Sequence, residues 1–162
     1  MKTITFLRHS KSSWDFDVSD INRPLSELGI NKIKKTSNSS KDTLNSAEIF
    51  FSSPANRAVH TCIIMANCLD IDLGKVVICN ELYTFNMMEV FDFIRQMDNK
   101  FSNVLLIGHN PAYTEISNYF SENKILNLPT ARWFSLKFDT DLWSNTIDLK
   151  PIHYLNNINN ES

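Results

Sequence analysis

The sequence of 162 residues contains few cysteines and no excess of positive charge. Its three cysteines are an odd number, which argues against the disulfide framework that small secreted proteins use. The formal net charge is −2, and the lysines and arginines are scattered along the chain. Because the sequence shows no cluster of basic residues suited to nucleic-acid phosphates, nucleic acid is not an expected partner.

Long hydrophobic runs are also missing from the sequence. No apolar stretch approaches the roughly 20 residues that a membrane helix needs. The N-terminus leads directly into a predicted strand, without the charged and apolar regions of a signal peptide. We therefore expect a soluble, cytoplasmic protein with no membrane partner. We assign residues 1–155 to a single domain and the asparagine-rich residues 156–162 to a disordered tail.

One group of residues has side chains of the types that bind metal ions, namely His60, Cys62 and Cys68. These residues do not form a CxxC or HxxxH pair, and the two cysteines lie within an apolar helical pattern. We interpret them as part of a helix face that packs against the protein core. The sequence therefore predicts no metal site and no other cofactor.

Strand and helix patterns alternate along the chain. Strands are predicted at residues 3–7, 47–51, 76–79, 104–107 and 133–138, with an edge strand at 147–151. Helices are predicted from the Ser26 cap to Ser39, from Pro54 to Leu69, and at residues 87–98 and 112–121. The polar residues 37–45 are predicted to form a surface loop. This alternation predicts an α/β fold, a three-layer α/β/α sandwich around a mostly parallel central sheet.

Three of the predicted strands lead to cationic or nucleophilic side chains. The first strand is followed by Arg8 and His9, the second by a turn and Arg57, and the fourth by His109. Because the carboxyl ends of parallel strands meet at one edge of a sheet, these side chains are expected to converge. Two arginines and two histidines suit a tetrahedral anion, and one histidine would be free to attack its phosphorus.

Four segments of the sequence resemble the signature blocks of a known family. They are residues 7–14, 20–29, 52–61 and 108–111. Their order and spacing are similar to those of the histidine phosphatase superfamily, which has a phosphoglycerate mutase-like fold, and especially to its small SixA-type phosphohistidine phosphatases. The chain has Ser10 where the superfamily usually has glycine, and SixA-like relatives often carry another small residue there.

The resemblance implies a role for each candidate residue. His9 would attack phosphorus and form a phosphohistidine enzyme intermediate, which water then hydrolyses. Arg8, Arg57 and His109 would bind the phosphate oxygens and neutralise their charge. Glu81 occupies the loop where phosphomutase and acid-phosphatase relatives keep a carboxylic acid that protonates the leaving oxygen. A solvated loop glutamate is the alternative interpretation of Glu81.

The expected substrate is phosphohistidine on a protein, such as a phosphotransfer protein. The short stretch between Glu81 and His109 leaves no room for a large lid, and an open site favours a bulky substrate. An imidazole also leaves with little help from an acid, because its pKa is near 6.5. Lys11 either contacts the anionic substrate or is solvated.

Two other functions stay open at this point. The first is a broad-specificity phosphomonoesterase that hydrolyses small phosphate esters. The second is a phosphate-recognition module without catalysis. The intact His9 argues against the second, because a binding module has no need of a nucleophile.

Overall fold

The structure, a computed structural model that describes residues 1–159, contains a six-stranded central sheet. The strands are β1 Lys2–Arg8, β2 Ile49–Ser52, β3 Val76–Ile78, β4 Asn103–Gly108, β5 Trp133–Phe138 and β6 His153–Asn156. Their order across the sheet is β3-β2-β4-β1-β5-β6. The first four strands pair in parallel, whereas β5 is antiparallel to both of its neighbours. The predicted mostly parallel sheet is confirmed.

Helices cover both faces of this sheet. They are α1 Glu27–Ser39, α2 Lys41–Leu44, α3 Asn56–Leu69, α4 Met87–Arg95 and α5 Ala112–Phe120. Apolar side chains of α1, α2 and α3 form one core with the sheet, and those of α4 and α5 form a second core on the opposite face. This arrangement is the predicted three-layer α/β/α sandwich. No helix within residues 1–159 has the length and apolar character needed to cross a membrane.

The central strand β1 is buried on both of its faces. Ile4 and Phe6 contribute to one core and Leu7 to the other. A strand that is covered on both sides is largely apolar in sequence, which makes it easy to predict from the sequence. The strand then ends at Arg8 and places His9 at the edge of the sheet.

Helix α1 begins where the sequence predicted. The Ser26 side chain accepts a hydrogen bond from the Gly29 amide at 3.0 Å, which satisfies a donor in the first helical turn. Gly29 lies so close to the preceding loop that a Cβ atom there would be 2.0 Å from the carbonyl oxygen of Lys11. The Ser10 hydroxyl in turn donates to the Gly29 carbonyl at 2.6 Å. Ser10 therefore ties the loop after β1 to the first turn of α1.

Three predicted elements need correction. Helix α3 begins at Asn56 and not at Pro54, because Ala55 has an extended backbone and serves as the N-cap. The polar stretch 37–45 is largely helical rather than a loop, since Leu44 anchors α2 in the core. The edge strand predicted at 147–151 lies later in the chain, at His153–Asn156, because residues 147 and 148 belong to a 3-10 helix, Trp143–Asp148, whose Ile147 packs into the core.

The C-terminal segment is better ordered than predicted. Asn156 is the last residue of the edge strand β6. The buried Asn157 accepts a hydrogen bond from the Trp133 backbone amide through its side-chain oxygen at 2.8 Å. The prediction of a disordered tail is therefore wrong for these two residues, and residues 160–162 lie outside the described residues.

Candidate active site

A cavity of about 550 Å³ brings together the four residues that were predicted to bind or attack phosphate. Arg8, His9, Arg57 and His109 all line it. Strands β1 and β4 pair with Arg8 opposite Gly108, and the His9 amide donates to the Gly108 carbonyl at 3.1 Å. The residues that follow the two strands are therefore neighbours, and the centres of the two imidazole rings are 5.1 Å apart.

The hydrogen bonds of His9 fix its tautomer. Its Nδ1 lies 2.7 Å from the Ser10 carbonyl oxygen, which can only accept, so Nδ1 carries the hydrogen. Arg57 Nε donates to His9 Nε2 at 3.3 Å, so this second nitrogen holds a lone pair. Burial, reinforced by nearby arginine charges, lowers the pKa of His9 to about 3, although its bond to Ser10 opposes this. The ring is therefore neutral near pH 7, as a nucleophile requires.

Arg57 is the hydrogen-bonding centre of the site. It is the second residue of α3, so the positive end of the helix dipole adds to its own charge. Its Nη1 donates to the Asp20 carbonyl at 2.7 Å and its Nη2 donates to an Asp20 carboxylate oxygen at 3.0 Å. The same Nη2 lies 3.5 Å from His109 Nδ1. One guanidinium thus contacts both histidines and a carboxylate.

Arg8 has a donor that no described residue uses. Its Nη1 donates to the Leu128 carbonyl at 2.7 Å, which fixes the direction of the side chain. Its Nε is buried and has no hydrogen-bond partner within residues 1–159. Burial, followed by repulsion from Arg57, lowers the pKa of Arg8. An anion in the cavity would accept a hydrogen bond from this donor and reduce the repulsion between Arg8 and Arg57.

His109 is held by Ser53, a residue for which the sequence predicted no role. Its Nε2 lies 2.7 Å from the Ser53 hydroxyl oxygen. Because Arg57 approaches the other nitrogen with a donor, Nδ1 is the acceptor and Nε2 carries the hydrogen in the free protein. Burial, then His9 and Arg57, lowers the pKa of His109 to about 3. A bound phosphate would favour a protonated, donating His109.

We expect acid to destabilise the protein through these two histidines. Their pKa falls from the ordinary 6.5 to about 3 in the folded protein, so the unfolded state binds more protons between these values. The contribution of the two neutral histidines to the free energy of unfolding is fully present above about pH 6.5. It falls as the pH drops towards 3, by up to about 1.4 kcal/mol per pH unit for each histidine. Urea unfolding at pH 7 and pH 5 measures this loss.

The variant His9→Gln/His109→Gln removes both groups and should flatten this part of the pH dependence. The variant His60→Gln is a control for the substitution itself, because it replaces an exposed histidine outside the cavity. Titration of His9 and His109 near pH 6.5 in an NMR experiment on the folded protein would contradict the prediction.

Asp20 and Tyr83 are site residues that the sequence did not identify. Asp20 is the first residue of the block 20–29, and the sequence contains no signal that assigns a role to Tyr83. The Tyr83 hydroxyl donates to the Asp20 carboxylate at 2.6 Å, and Arg23 Nε donates to it at 3.2 Å. Partial burial opposes ionisation, but hydrogen bonds from Tyr83 and Arg57 outweigh it and lower the pKa of Asp20. Asp20 is therefore ionised near pH 7.

Glu81 does not line the cavity that contains His9. It is exposed and lines a separate cavity of about 370 Å³ together with Glu89 and Asp92. The expectation that Glu81 lies at the site needs correction, because the 3-10 turn Asn80–Leu82 buries Leu82 and directs Tyr83, two residues later, to the site. The geometry supports the alternative interpretation of Glu81 as a solvated glutamate.

The residues considered for a metal site lie apart from this cavity, on helix α3. Cys62 is buried in the core, and burial raises the pKa of its thiol to about 12. Cys68 and His60 are exposed. Within residues 1–159, no group of three or more histidine, cysteine, aspartate or glutamate side chains is arranged to hold a metal ion.

Comparison with known proteins relates the chain to one family by sequence. Residues 4–90 match the family described as histidine phosphatase superfamily, branch 1. The match covers more than half of the chain and includes Arg8, His9, Asp20 and Arg57. No curated protein matches the sequence significantly.

Solved structures share the fold. A protein from Agrobacterium tumefaciens, assigned as the phosphohistidine phosphatase SixA, superposes with a TM-score of 0.76 at 20% identity, over 95% of this chain and 97% of that one. A protein histidine phosphatase SixA complexed with tungstate superposes with a TM-score of 0.72 at 22% identity, over 85% of this chain and 88% of that one. An Escherichia coli protein assigned as an α-ribazole-5'-phosphate phosphatase superposes with a TM-score of 0.68 at 15% identity, over 88% of this chain and 93% of that one.

Proposed function

Since the chain belongs to the histidine phosphatase superfamily, we propose that it is a metal-independent phosphatase with His9 as its nucleophile. The observation that supports this most strongly is the tautomer of His9. Its Nδ1 donates to Ser10, so the unprotonated Nε2 is held among Arg57 and the other phosphate-binding groups. This is the arrangement that an attack on phosphorus requires.

The reaction follows from these contacts in two steps. In the first, His9 Nε2 forms a bond to phosphorus while the bond to the leaving group breaks. Arg57 releases Nε2, and with Arg8 and His109 it binds the phosphoryl oxygens and stabilises their charge. In the second, water attacks the phosphohistidine, inorganic phosphate leaves and His9 returns to its starting state.

We infer that the substrate is phosphohistidine on a protein. Asp20 is the only carboxylate among the described residues that line the cavity, and it is ionised, so it is not a ready proton donor. A phosphate ester needs such a donor because an alkoxide is a poor leaving group, whereas imidazole leaves with little help. Two of the structural neighbours are assigned as SixA phosphatases of phosphohistidine or protein histidine, which agrees with this inference.

The rim of the cavity supports a large substrate. Trp14 and Phe85 line the cavity, and they remain 78% and 47% exposed. Trp14 stacks on the Arg23 guanidinium, which lies 3.5 Å from the ring centre. Exposed aromatic side chains next to arginine are characteristic of protein contact surfaces.

The test compares substrates in the presence of EDTA. We expect phosphohistidine proteins, prepared by chemical phosphorylation of several phosphotransfer proteins, to give a kcat/KM at least about 100-fold above that of an alkyl phosphate. The chelator should have no effect. A strong preference for the alkyl phosphate would instead indicate a phosphomonoesterase. Binding of inorganic phosphate without turnover of any substrate would indicate a recognition module, and loss of activity with EDTA would indicate a metal-dependent enzyme.

A further inference from the structure

A second cavity, of about 640 Å³, adjoins the first and is lined by positive side chains. We call it the basic groove and define it by the four cations that line it, Arg8, Lys11, Lys32 and Lys35. Arg8 and Lys11 also line the cavity that contains His9, so the two cavities adjoin. None of the residues 1–159 that line the basic groove is acidic. This concentration of charge contrasts with the net charge of −2 of the whole chain.

Helix α1 forms one wall of the basic groove. Leu28, Lys32 and Lys35 are spaced four and three residues apart, which places them on one face of the helix. Leu28, beside the two lysines, is 58% exposed. Lys32 Nζ donates to the Thr130 hydroxyl at 3.1 Å, which directs this ammonium group into the groove.

The lysines of the groove have no acidic partner among the described residues. In the part of the chain that the structure describes, no ion pair involves Lys11, Lys32 or Lys35. Burial, followed by repulsion from Arg132, Lys11 and Arg8, lowers the pKa of Lys32. Because like charges held together cost free energy, an anionic partner would stabilise this surface.

We propose that the basic groove binds acidic side chains of the protein substrate while its phosphohistidine occupies the cavity with His9. The inference rests on the proposed function and adds the feature by which the substrate is selected. From Leu28 to Lys35 the helix rises about 10 Å, at 1.5 Å per residue. The cations are thus spread along a surface with an exposed leucine, which fits a polypeptide segment better than one small anion.

Two matched peptides test this proposal. Both carry a central phosphohistidine, with glutamates on either side in one and glutamines in the other. We expect wild-type protein in low salt to hydrolyse the glutamate peptide with about tenfold higher kcat/KM, because opposite charges favour association. The preference should shrink in 0.5 M NaCl, which screens exposed charges.

Variants locate the preference on the protein. Lys32→Gln/Lys35→Gln should reduce the ratio between the two peptides to about twofold. Lys34→Gln/Lys41→Gln makes the same change of charge at exposed positions outside the groove and should retain the wild-type ratio. The ratio is insensitive to partial misfolding, because both peptides are measured with the same preparation.

The possible outcomes distinguish an error about the role of the basic groove from an error about the proposed function. Equal rates of wild-type protein on both peptides would overturn the role of the groove and leave the proposed function intact. Equal losses of preference in the two double variants would also overturn it, because a general charge effect would explain them. Hydrolysis of p-nitrophenyl phosphate with neither peptide hydrolysed would overturn the proposed function itself.

Discussion

Replacement of His9 by alanine is expected to abolish turnover, with a fall in kcat/KM of at least about 10⁴-fold. The variant lacks the nitrogen that forms the bond to phosphorus in the proposed mechanism. We expect the remaining groups of the proposed phosphate site to bind the substrate without starting the reaction. Steady-state rates on a phosphohistidine protein and on p-nitrophenyl phosphate measure the effect.

Two controls separate catalysis from folding in this experiment. His9→Ala should keep the wild-type circular dichroism spectrum, because one side chain at the edge of the sheet contributes little to the two cores. His60→Ala, which removes an exposed histidine from α3, should keep full activity. Brief reaction with labelled substrate should yield an acid-labile phosphoenzyme in the wild type and none in His9→Ala. Near-normal turnover of a folded His9→Ala protein would disprove the mechanism.

Removal of Arg57 should produce the second largest loss, a decrease in kcat/KM of about 10² to 10³-fold. Its guanidinium contacts His9, Asp20 and the edge of His109, so its loss would remove a proposed phosphate ligand and disturb the proposed nucleophile. Arg8→Ala and His109→Ala each remove one phosphate-binding group and should lower kcat/KM by about 10² or more.

The shape of Arg57 matters as well as its charge. Arg57→Lys keeps the positive charge but cannot contact three groups at once, so it should recover only part of the lost activity. Binding of tungstate, measured by calorimetry, should weaken in the same order as the rates. Arg95→Ala, at a half-buried position on α4 outside the cavity, provides the control and should behave as wild type. Wild-type tungstate affinity in Arg57→Ala would exclude this residue from phosphate binding.

The sequence predicted the sheet and the main site residues because both depend on local patterns. The apolar run of β1 follows from burial on two faces, and Arg8 and His9 come directly after it. Once the strands are parallel, their ends must meet, so the convergence of His109 and Arg57 follows from topology. Ser26 as a helix cap is equally local, since its partner is three residues away.

The features that were missed depend on contacts between distant segments. Asp20 reaches the site because the loop after β1 folds over α3, and its partner Arg57 is 37 residues away in sequence. Tyr83, and not Glu81, faces the cavity because a short 3-10 turn buries the intervening Leu82. Neither hydrophobic periodicity nor a turn signal contains this information.

The contact between Asp20 and Arg57 also bears on how the last product leaves. In the free protein all three nitrogens of the Arg57 guanidinium already have acceptors, and the Asp20 carboxylate occupies one of them. Inorganic phosphate, the product of the proposed reaction, would compete with this carboxylate for the Arg57 guanidinium. Because a charge of the protein itself occupies part of the anion site, we expect free phosphate to bind more weakly than it would without Asp20.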